Sequence, residues 1–264
     1  MTATAPLRIG VCGVGTVGLA TINILQNQSQ LLAARCGREV RVTHVGARRE
    51  HPEHDYGNVR VSRDVMEVAQ DPEVDVLVEL IGGTTVAHDL VRVAIEQGKH
   101  VVTANKALIA EYGNELFALA EGSGVQLRFE AAVAGGIPVI KGLREALAGN
   151  VVSEVAGIIN GTGNFILTEM SNKGRAFDDV LAEAQALGYA EADPTFDIDG
   201  TDAAHKLVIL ASLAFGVPLS IDAPAKQGIQ NITPEDLDYA KALGYRVKHL
   251  GIARRSGSRI EMRV

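Results

Sequence analysis

The chain has 264 residues, 47% hydrophobic and 22% charged, with a formal net charge of −7. It is long enough for two domains with real cores, and nothing in it reads as disordered. The negative balance argues against a nucleic-acid surface, and 4% aromatics with no Trp argue against stacking of bases. Two distant cysteines, Cys12 and Cys36, argue against a disulfide framework. No stretch reads as a signal peptide or a membrane span, so a cytoplasmic protein without membrane contact is expected.

An apolar run at 7–12, broken by Arg8 and Gly10, predicts a first strand. Gly13, Gly15 and Gly18 then fill G-x-G-x-x-G, with Val14, Thr16 and Val17 between them. In that pattern Gly13 permits a tight turn, Gly15 lets a diphosphate approach the backbone, and Gly18 lets the helix pack on the strand. Free N–H groups of the first helical turn would face the phosphates. Glycines scattered by chance are the alternative; the order strand, motif, helix weighs against it.

A helix is expected over 16–32 and a second strand over 40–45. That strand runs into Gly46-Ala-Arg-Arg49, where a carboxylate for a ribose 2′-hydroxyl is missing. Arg48, with Arg49 beside it, can instead pair with a 2′-phosphate. NADP is therefore expected, with NAD still open; two solvated surface arginines are the other reading. A central strand is expected at 74–81. Gly82 and Gly83 can let the chain pass under the nicotinamide half, and Thr84 or Thr85 can cap a helix over 84–96. A strand at 100–103 leads to Asn105 and Lys106, at the end that faces the ligand crevice of a parallel sheet. Lys106 can meet a substrate carboxylate or move a proton, or simply start a surface helix. A helix at 106–121 and a strand at 125–130 complete an α/β pattern, a Rossmann-type doubly wound parallel sheet.

The character changes at a small-residue turn over 131–138. A helix is expected at 139–147, a strand at 151–159, helices at 164–173, 177–187, 201–215 and 234–242, and strands at 246–253 and 259–264 around a turn at 254–258. The chain stops on that strand, so a fragment of a longer protein is expected. Five carboxylates, Glu191, Asp193, Asp197, Asp199 and Asp202, fall within twelve residues. Asp202 and Lys206 are four apart and share a helix face. A surface pair there would contribute only ~0.3–0.5 kcal/mol, but the apolar run at 207–213 argues against full exposure. Lys206 could then donate and recover a proton while Asp202 orients it. The acidic spacing matches no calcium loop, and the histidines form no zinc set. One cation held partly by backbone oxygens near Glu130 stays open.

These residues together resemble homoserine dehydrogenase. The resemblance rests on the glycine loop, Thr103-Ala-Asn-Lys106, Phe129-Glu-Ala-Ala-Val-Ala-Gly-Gly-Ile-Pro138, Gly157-Ile-Ile-Asn-Gly-Thr-Gly-Asn164 and Leu187-Gly-Tyr-Ala-Glu-Ala-Asp-Pro194. Most specific is Asp197-Ile-Asp-Gly-Thr-Asp-Ala-Ala-His-Lys206. The match spans nearly the whole chain, in family order. It implies interconversion of L-homoserine and L-aspartate 4-semialdehyde with NAD(P), on the route to threonine, methionine and isoleucine. It implies a dinucleotide-binding domain over 1–132 and an α+β substrate and dimerisation domain over 133–264, in a homodimer.

By this resemblance Lys206 transfers the proton and Lys106 assists. Glu191, Asp197 and Asp202 hold the substrate or its waters, and Asn160, Gly161 and Thr162 lie near nicotinamide and substrate. Glu130 and the carbonyls of Val133, Gly135 and Ile137 are the expected sodium ligands. Family members continue past Val264, many with a regulatory ACT domain, so weak activity is expected of this chain. A related enzyme such as aspartate dehydrogenase, or an NADP-binding fragment without turnover, remains the rival reading.

Overall fold

The computed structural model describes residues 4–49, 54 and 56–264. It divides into two compact units, Met1–Gly136 and Ile137–Val264. In the first, strands β1 (Leu7–Cys12), β2 (Val40–Gly46), β3 (Arg60–Ser62), β4 (Val76–Glu79), β5 (His100–Thr103) and β6 (Leu127–Arg128) form one sheet in the order β3-β2-β1-β4-β5-β6. Every pairing is parallel. Helices α1 (Thr16–Asn27), α2 (Ser29–Cys36), α3 (Val65–Gln70), α4 (Thr85–Glu96) and α5 (Lys106–Gly122) connect the strands. The chain winds outward from β1 on one side and from β4 on the other. This is the dinucleotide-binding arrangement, with the crevice at the carboxyl ends of β1 and β4.

A parallel sheet with helical crossovers must be apolar on both faces, and Val11, Val45, Leu77 and Val101 are fully buried. Cys12 is equally buried; its thiol lies 3.9 Å from the Val65 carbonyl, and a Cβ on Gly46 would stand 3.3 Å from its sulfur. Burial pushes that thiol's pKa up. At the opposite end of β1, Arg8 grips Asp75 with its backbone N–H at 2.9 Å, Nε at 3.0 Å and Nη2 at 2.6 Å. This pins β1 to the start of β4.

The predicted helix over 16–32 is two helices. Gln28, at φ −108 and ψ 20, leaves helical geometry between α1 and α2. β3 and α3 were not anticipated. Three- and six-residue elements in a polar stretch carry no readable period, and β3 exists because it pairs with β2.

The second unit has a three-stranded antiparallel sheet of β7 (Glu154–Gly157), β8 (Gly251–Ser256) and β9 (Arg259–Arg263). Its helices are α6 (Val139–Lys141), which continues into a π-helical turn over Gly142–Ala146, then α7 (Gly161–Lys173), α8 (Phe177–Ala186), α9 (Thr195–Ile198), α10 (Thr201–Phe215) and α11 (Pro234–Ala242). α10 packs on the sheet through Leu207, Ala211 and Phe215, which meet Ala253. Ile166, Leu167 and Met170 of α7 close a second core with Val180 and Ala184 of α8. The expected strand at 151–159 shrinks at both ends; Val151 is 93% exposed and has no apolar face to join. Arg254, Arg255 and Ser256 belong to β8, so the hairpin turn is only Gly257, at φ 61, and Ser258.

The Arg8 grip, above all its side-chain hydrogen bonds, holds the Asp75 carboxyl below its usual value of 3.8. A depressed carboxylate stabilises the fold above its unfolded pKa, and that contribution disappears as pH falls through the folded value. Asp75→Asn is therefore expected to lower the melting temperature at neutral pH. The deficit should shrink as pH falls below 3.8, and thermal melts across that range measure it.

Candidate active site

In the second unit the site grows from the start of α7. Asn160 is its N-cap, in extended backbone at φ −123 and ψ 116, and its Oδ1 accepts the Gly163 N–H at 2.7 Å. Asn is among the strongest caps because this bond satisfies an otherwise orphaned helix donor. The side-chain amide then has two hydrogens left to donate. One goes to Asp197 Oδ1 at 2.7 Å and the other to Asp202 Oδ2 at 2.9 Å.

Asp202 lies in the first turn of α10 and Lys206 one turn later. Helical spacing brings Lys206 Nζ to Asp202 Oδ2 at 2.6 Å. The ammonium donates again to the Ile159 carbonyl at 2.8 Å, next to the cap itself. Two of its three hydrogens are thus placed. Asn160 and Asp202 are buried at 2% and 5% exposure, while the Lys206 side chain keeps 19%. The cation is anchored from within the protein but open to a molecule from outside.

The other acidic residues divide by role. Asp193 accepts the N–H and hydroxyl of Thr195 at the start of α9, and these bonds lower its pKa. Asp199 does the same for Thr201 at the start of α10 and is bridged by Lys226. Glu191 is exposed, and its carbonyl takes a hydrogen bond from Gln185. Among the described residues only Asp197 and Asp202 join Asn160 and Lys206. Spacing in sequence does not separate turn-capping carboxylates from those that share a site.

Four contributors escaped the sequence reading. The Asn164 amide donates to the carbonyls of Asn160 and His249 and accepts the His249 N–H, tying α7 to the segment before β8. The His249 ring is buried, neither nitrogen makes a well-formed hydrogen bond, and burial lowers its pKa. Tyr189 and Phe165 stack edge to face at 5.1 Å and, with Gly161 and Thr162, line a cavity of about 330 Å³. Thr162 donates its hydroxyl to the Tyr189 carbonyl at 2.7 Å.

The first unit carries the second group of candidates. Gly13 stands at φ 93, and a Cβ there would lie 2.5 Å from the Leu80 backbone. A Cβ on Gly18 would lie 2.0 Å from the Gly13 carbonyl oxygen. Gly15 differs: it is the N-cap of α1, no side chain caps that helix, and its missing Cβ faces open space. Two glycines serve packing and the third leaves a clear approach to a helix N-terminus, the place where a diphosphate binds. Val14 is buried, whereas Thr16 and Val17 start the helix exposed.

After β4 the chain turns through Gly82 and Gly83, at φ 80 and φ 70. Buried Glu79 holds this turn; its Oε1 accepts the N–H groups of Ile81 and Gly82, and its Oε2 accepts the Thr103 hydroxyl. Asn105 extends the link. Its N–H donates to Thr103 Oγ1, its side-chain amide donates to the Gly83 carbonyl, and its Oδ1 caps α5 at Leu108. Lys106 is the first residue of that helix and half-buried. Thr84 occupies the N-cap position of α4, but its hydroxyl makes no capping bond. Arg48 and Arg49 are exposed just past β2, and Arg63, which the sequence reading missed, reaches the Ala47 carbonyl beside them at 3.4 Å.

The homoserine dehydrogenase family pattern matches residues 138–264, and the NAD-binding domain of homoserine dehydrogenase matches residues 13–130. An Archaeoglobus fulgidus structure provisionally named a homoserine dehydrogenase is 33% identical with a TM-score of 0.85, over 97% of this chain and 82% of its own. The chain belongs to the homoserine dehydrogenase family. The homoserine dehydrogenase of Pseudomonas aeruginosa is 61% identical over 98% of this chain and 60% of its own length. The Thiobacillus denitrificans homoserine dehydrogenase structure is 54% identical with a TM-score of 0.96, covering 100% of this chain and 62% of that one. The chain thus spans about 60% of the length of the curated homoserine dehydrogenases it matches. No helix among the described residues is long and apolar enough to cross a membrane.

The glycine geometry separates two effects. Gly18→Ala should destabilise the first unit by about 1–3 kcal/mol or more, since backbone must move. Gly15→Ala should leave the melting temperature near that of the parent and weaken dinucleotide binding. Thermal melts paired with calorimetric cofactor titrations check both.

Proposed function

We propose that this chain carries the site that interconverts L-homoserine and L-aspartate 4-semialdehyde with NAD(P). One observation supports this above the rest: a partly open lysine ammonium held by a buried carboxylate and a backbone carbonyl, in a chain of this family. Carbonyl reduction needs a hydride at carbon and a proton at oxygen. Bound NADPH supplies the hydride. Lys206 supplies the proton to the carbonyl oxygen and is then reprotonated from water; in the oxidative direction its neutral amine takes the hydroxyl proton. Asp202 and the Ile159 carbonyl fix the nitrogen, so the ordering entropy is met before substrate arrives. Lys106 assists this transfer. Asp197, Asp202 and Glu191 offer negative charge for the substrate's ammonium group, with Asn160, Gly161 and Thr162 beside it.

The cofactor fits the residues present. The open approach at Gly15 accommodates the diphosphate, with Gly13, Val14, Thr16, Val17 and Gly18 around it. Gly82, Gly83, Thr84, Asn105 and Lys106 serve the nicotinamide half. Arg48 and Arg49 favour NADP, since the end of β2 runs straight into them and the first carboxylate, Glu50, comes only after both. A sodium ion would be held by the Glu130 carboxylate and the carbonyls of Val133, Gly135 and Ile137. This all-oxygen set suits a hard cation, and left-handed backbone at Ala134, φ 51, and Gly136, φ 87, alternates with the carbonyl donors. The ion would order this loop rather than enter the reaction. The working form is a cytoplasmic homodimer.

Assays with homoserine and with aspartate as alternative substrates test the reading; turnover of aspartate alone would overturn it. Lys206→Ala should lose about 10²–10⁴-fold in turnover with the NADPH dissociation constant unchanged, and an unchanged turnover number would remove Lys206 from its role. NADP should bind more tightly than NAD. Arg48→Ala should cost about tenfold in NADP affinity, as a charge-assisted bond would, and leave NAD as it was. Calorimetric titration with both cofactors decides, and equal affinity in the parent would count against Arg48.

A further inference from the structure

A closed ring of five polar side chains lies at the β2–β3 edge of the sheet, and none of it belongs to the sites above. His44 on β2 is fully buried. Its Nδ1 lies 2.7 Å from Asp71 Oδ2, and its Nε2 lies 2.8 Å from Ser62 Oγ at the end of β3. The Ser62 hydroxyl donates to Glu67 Oε2 on α3 at 2.8 Å. Arg60 donates to the same Glu67 oxygen at 2.8 Å and lies 3.6 Å from Asp71 Oδ2, which closes the ring. His44 and Arg60 are register partners across the two strands, as are Gly46 and Ser62. Lys99 adds a further clamp by donating to the Asp71 carbonyl at 2.7 Å.

The location gives the ring its meaning. The Ser62–Glu67 bond spans the turn that carries Arg63. The Ser62 carbonyl accepts the Ala47 N–H at 2.9 Å, and Arg63 donates to the Ala47 carbonyl at 3.4 Å. Ala47 is thus gripped on both its backbone groups by consecutive residues of the segment that the ring holds. Arg48 is the next residue. Arginine pairs with phosphate in a planar, directional way, so its discrimination depends on where the backbone beneath it is fixed. β3 is only three residues long and makes few ladder bonds, so side chains must supply what the strand lacks.

We propose that the His44–Ser62–Glu67 chain, closed by Asp71 and Arg60, is the positioning element for cofactor discrimination. It sets the Ala47–Arg48 backbone and the Arg63 turn for a 2′-phosphate without touching the cofactor. The inference rests on the NADP reading given above. A purely structural ring would weaken both cofactors alike or lower stability alone. A positioning ring shifts the ratio of the two.

The experiment is calorimetric titration of the whole chain with NADP⁺ and with NAD⁺, on the parent and on Ser62→Ala, Glu67→Gln, His44→Gln and Arg48→Ala. Glu67 is exposed, so Glu67→Gln is the variant that keeps the fold if loss of buried His44 does not. Ser62→Ala and Glu67→Gln are expected to weaken NADP⁺ about three- to tenfold and leave NAD⁺ within twofold. Ser62→Thr, which keeps the hydroxyl, should restore the NADP⁺ value. Equal loss for both cofactors, or no change in the ratio, overturns the proposal. If the parent itself fails to prefer NADP⁺, or Arg48→Ala leaves the ratio alone, the underlying NADP reading fails instead.

Discussion

The side chain of Asn160 is where the candidate site is decided. One amide caps α7, fixes Asp197 and fixes Asp202, and the carbonyl just before it holds Lys206. Holding buried Asp202 beside half-buried Asp197 is costly unless each is paired or hydrogen-bonded. Here the neutral amide donates to both and the lysine neutralises one. The arrangement leaves excess negative charge beside a cation with one hydrogen to spare. A small molecule bearing both an ammonium group and an oxygen to be protonated answers both features at once.

The first unit meets a different constraint, the closeness of two backbones. A helix that starts within touching distance of a strand turn leaves no volume for a Cβ at Gly18 or Gly13. That closeness brings the first-turn N–H groups to the carboxyl end of the sheet, where the fields of peptide dipoles add. Glu79 then stitches the next turn, and Thr103 and Asn105 continue the stitching to the start of α5. The crevice edge is therefore built from hydrogen bonds between consecutive strand ends rather than from one long loop. Such an edge is stiff, because each turn is satisfied by the neighbouring one.

Much of this was legible in the sequence, for reasons that differ by element. The strand, glycine loop and helix at 7–27 announce themselves because each glycine answers a steric demand of the backbone. Asp202 and Lys206 were readable because helical geometry dictates what lies four residues on. Asp193 and Asp199 were not separable from Asp197, since a carboxylate capping a turn and one lining a site look alike in a string. The break at Gln28 carries no glycine or proline to mark it. The ring around His44 was invisible because β2–β3 pairing and the end of α3 bring together members up to 27 residues apart, a distance at which local pattern is silent.

The two cysteines lie in contrasting settings, and the contrast makes the protein its own probe. Cys36 is exposed at the end of α2, whereas Cys12 is sealed between β1, β2 and α3. Only the thiolate attacks an alkylating reagent, and burial keeps Cys12 in its thiol form. The native chain should therefore consume one equivalent of reagent quickly and a second only as fast as the sheet corner opens. The slow phase would time the local opening of the strand that leads into the glycine loop. Its slowing on addition of a dinucleotide would read ligand binding with no label introduced.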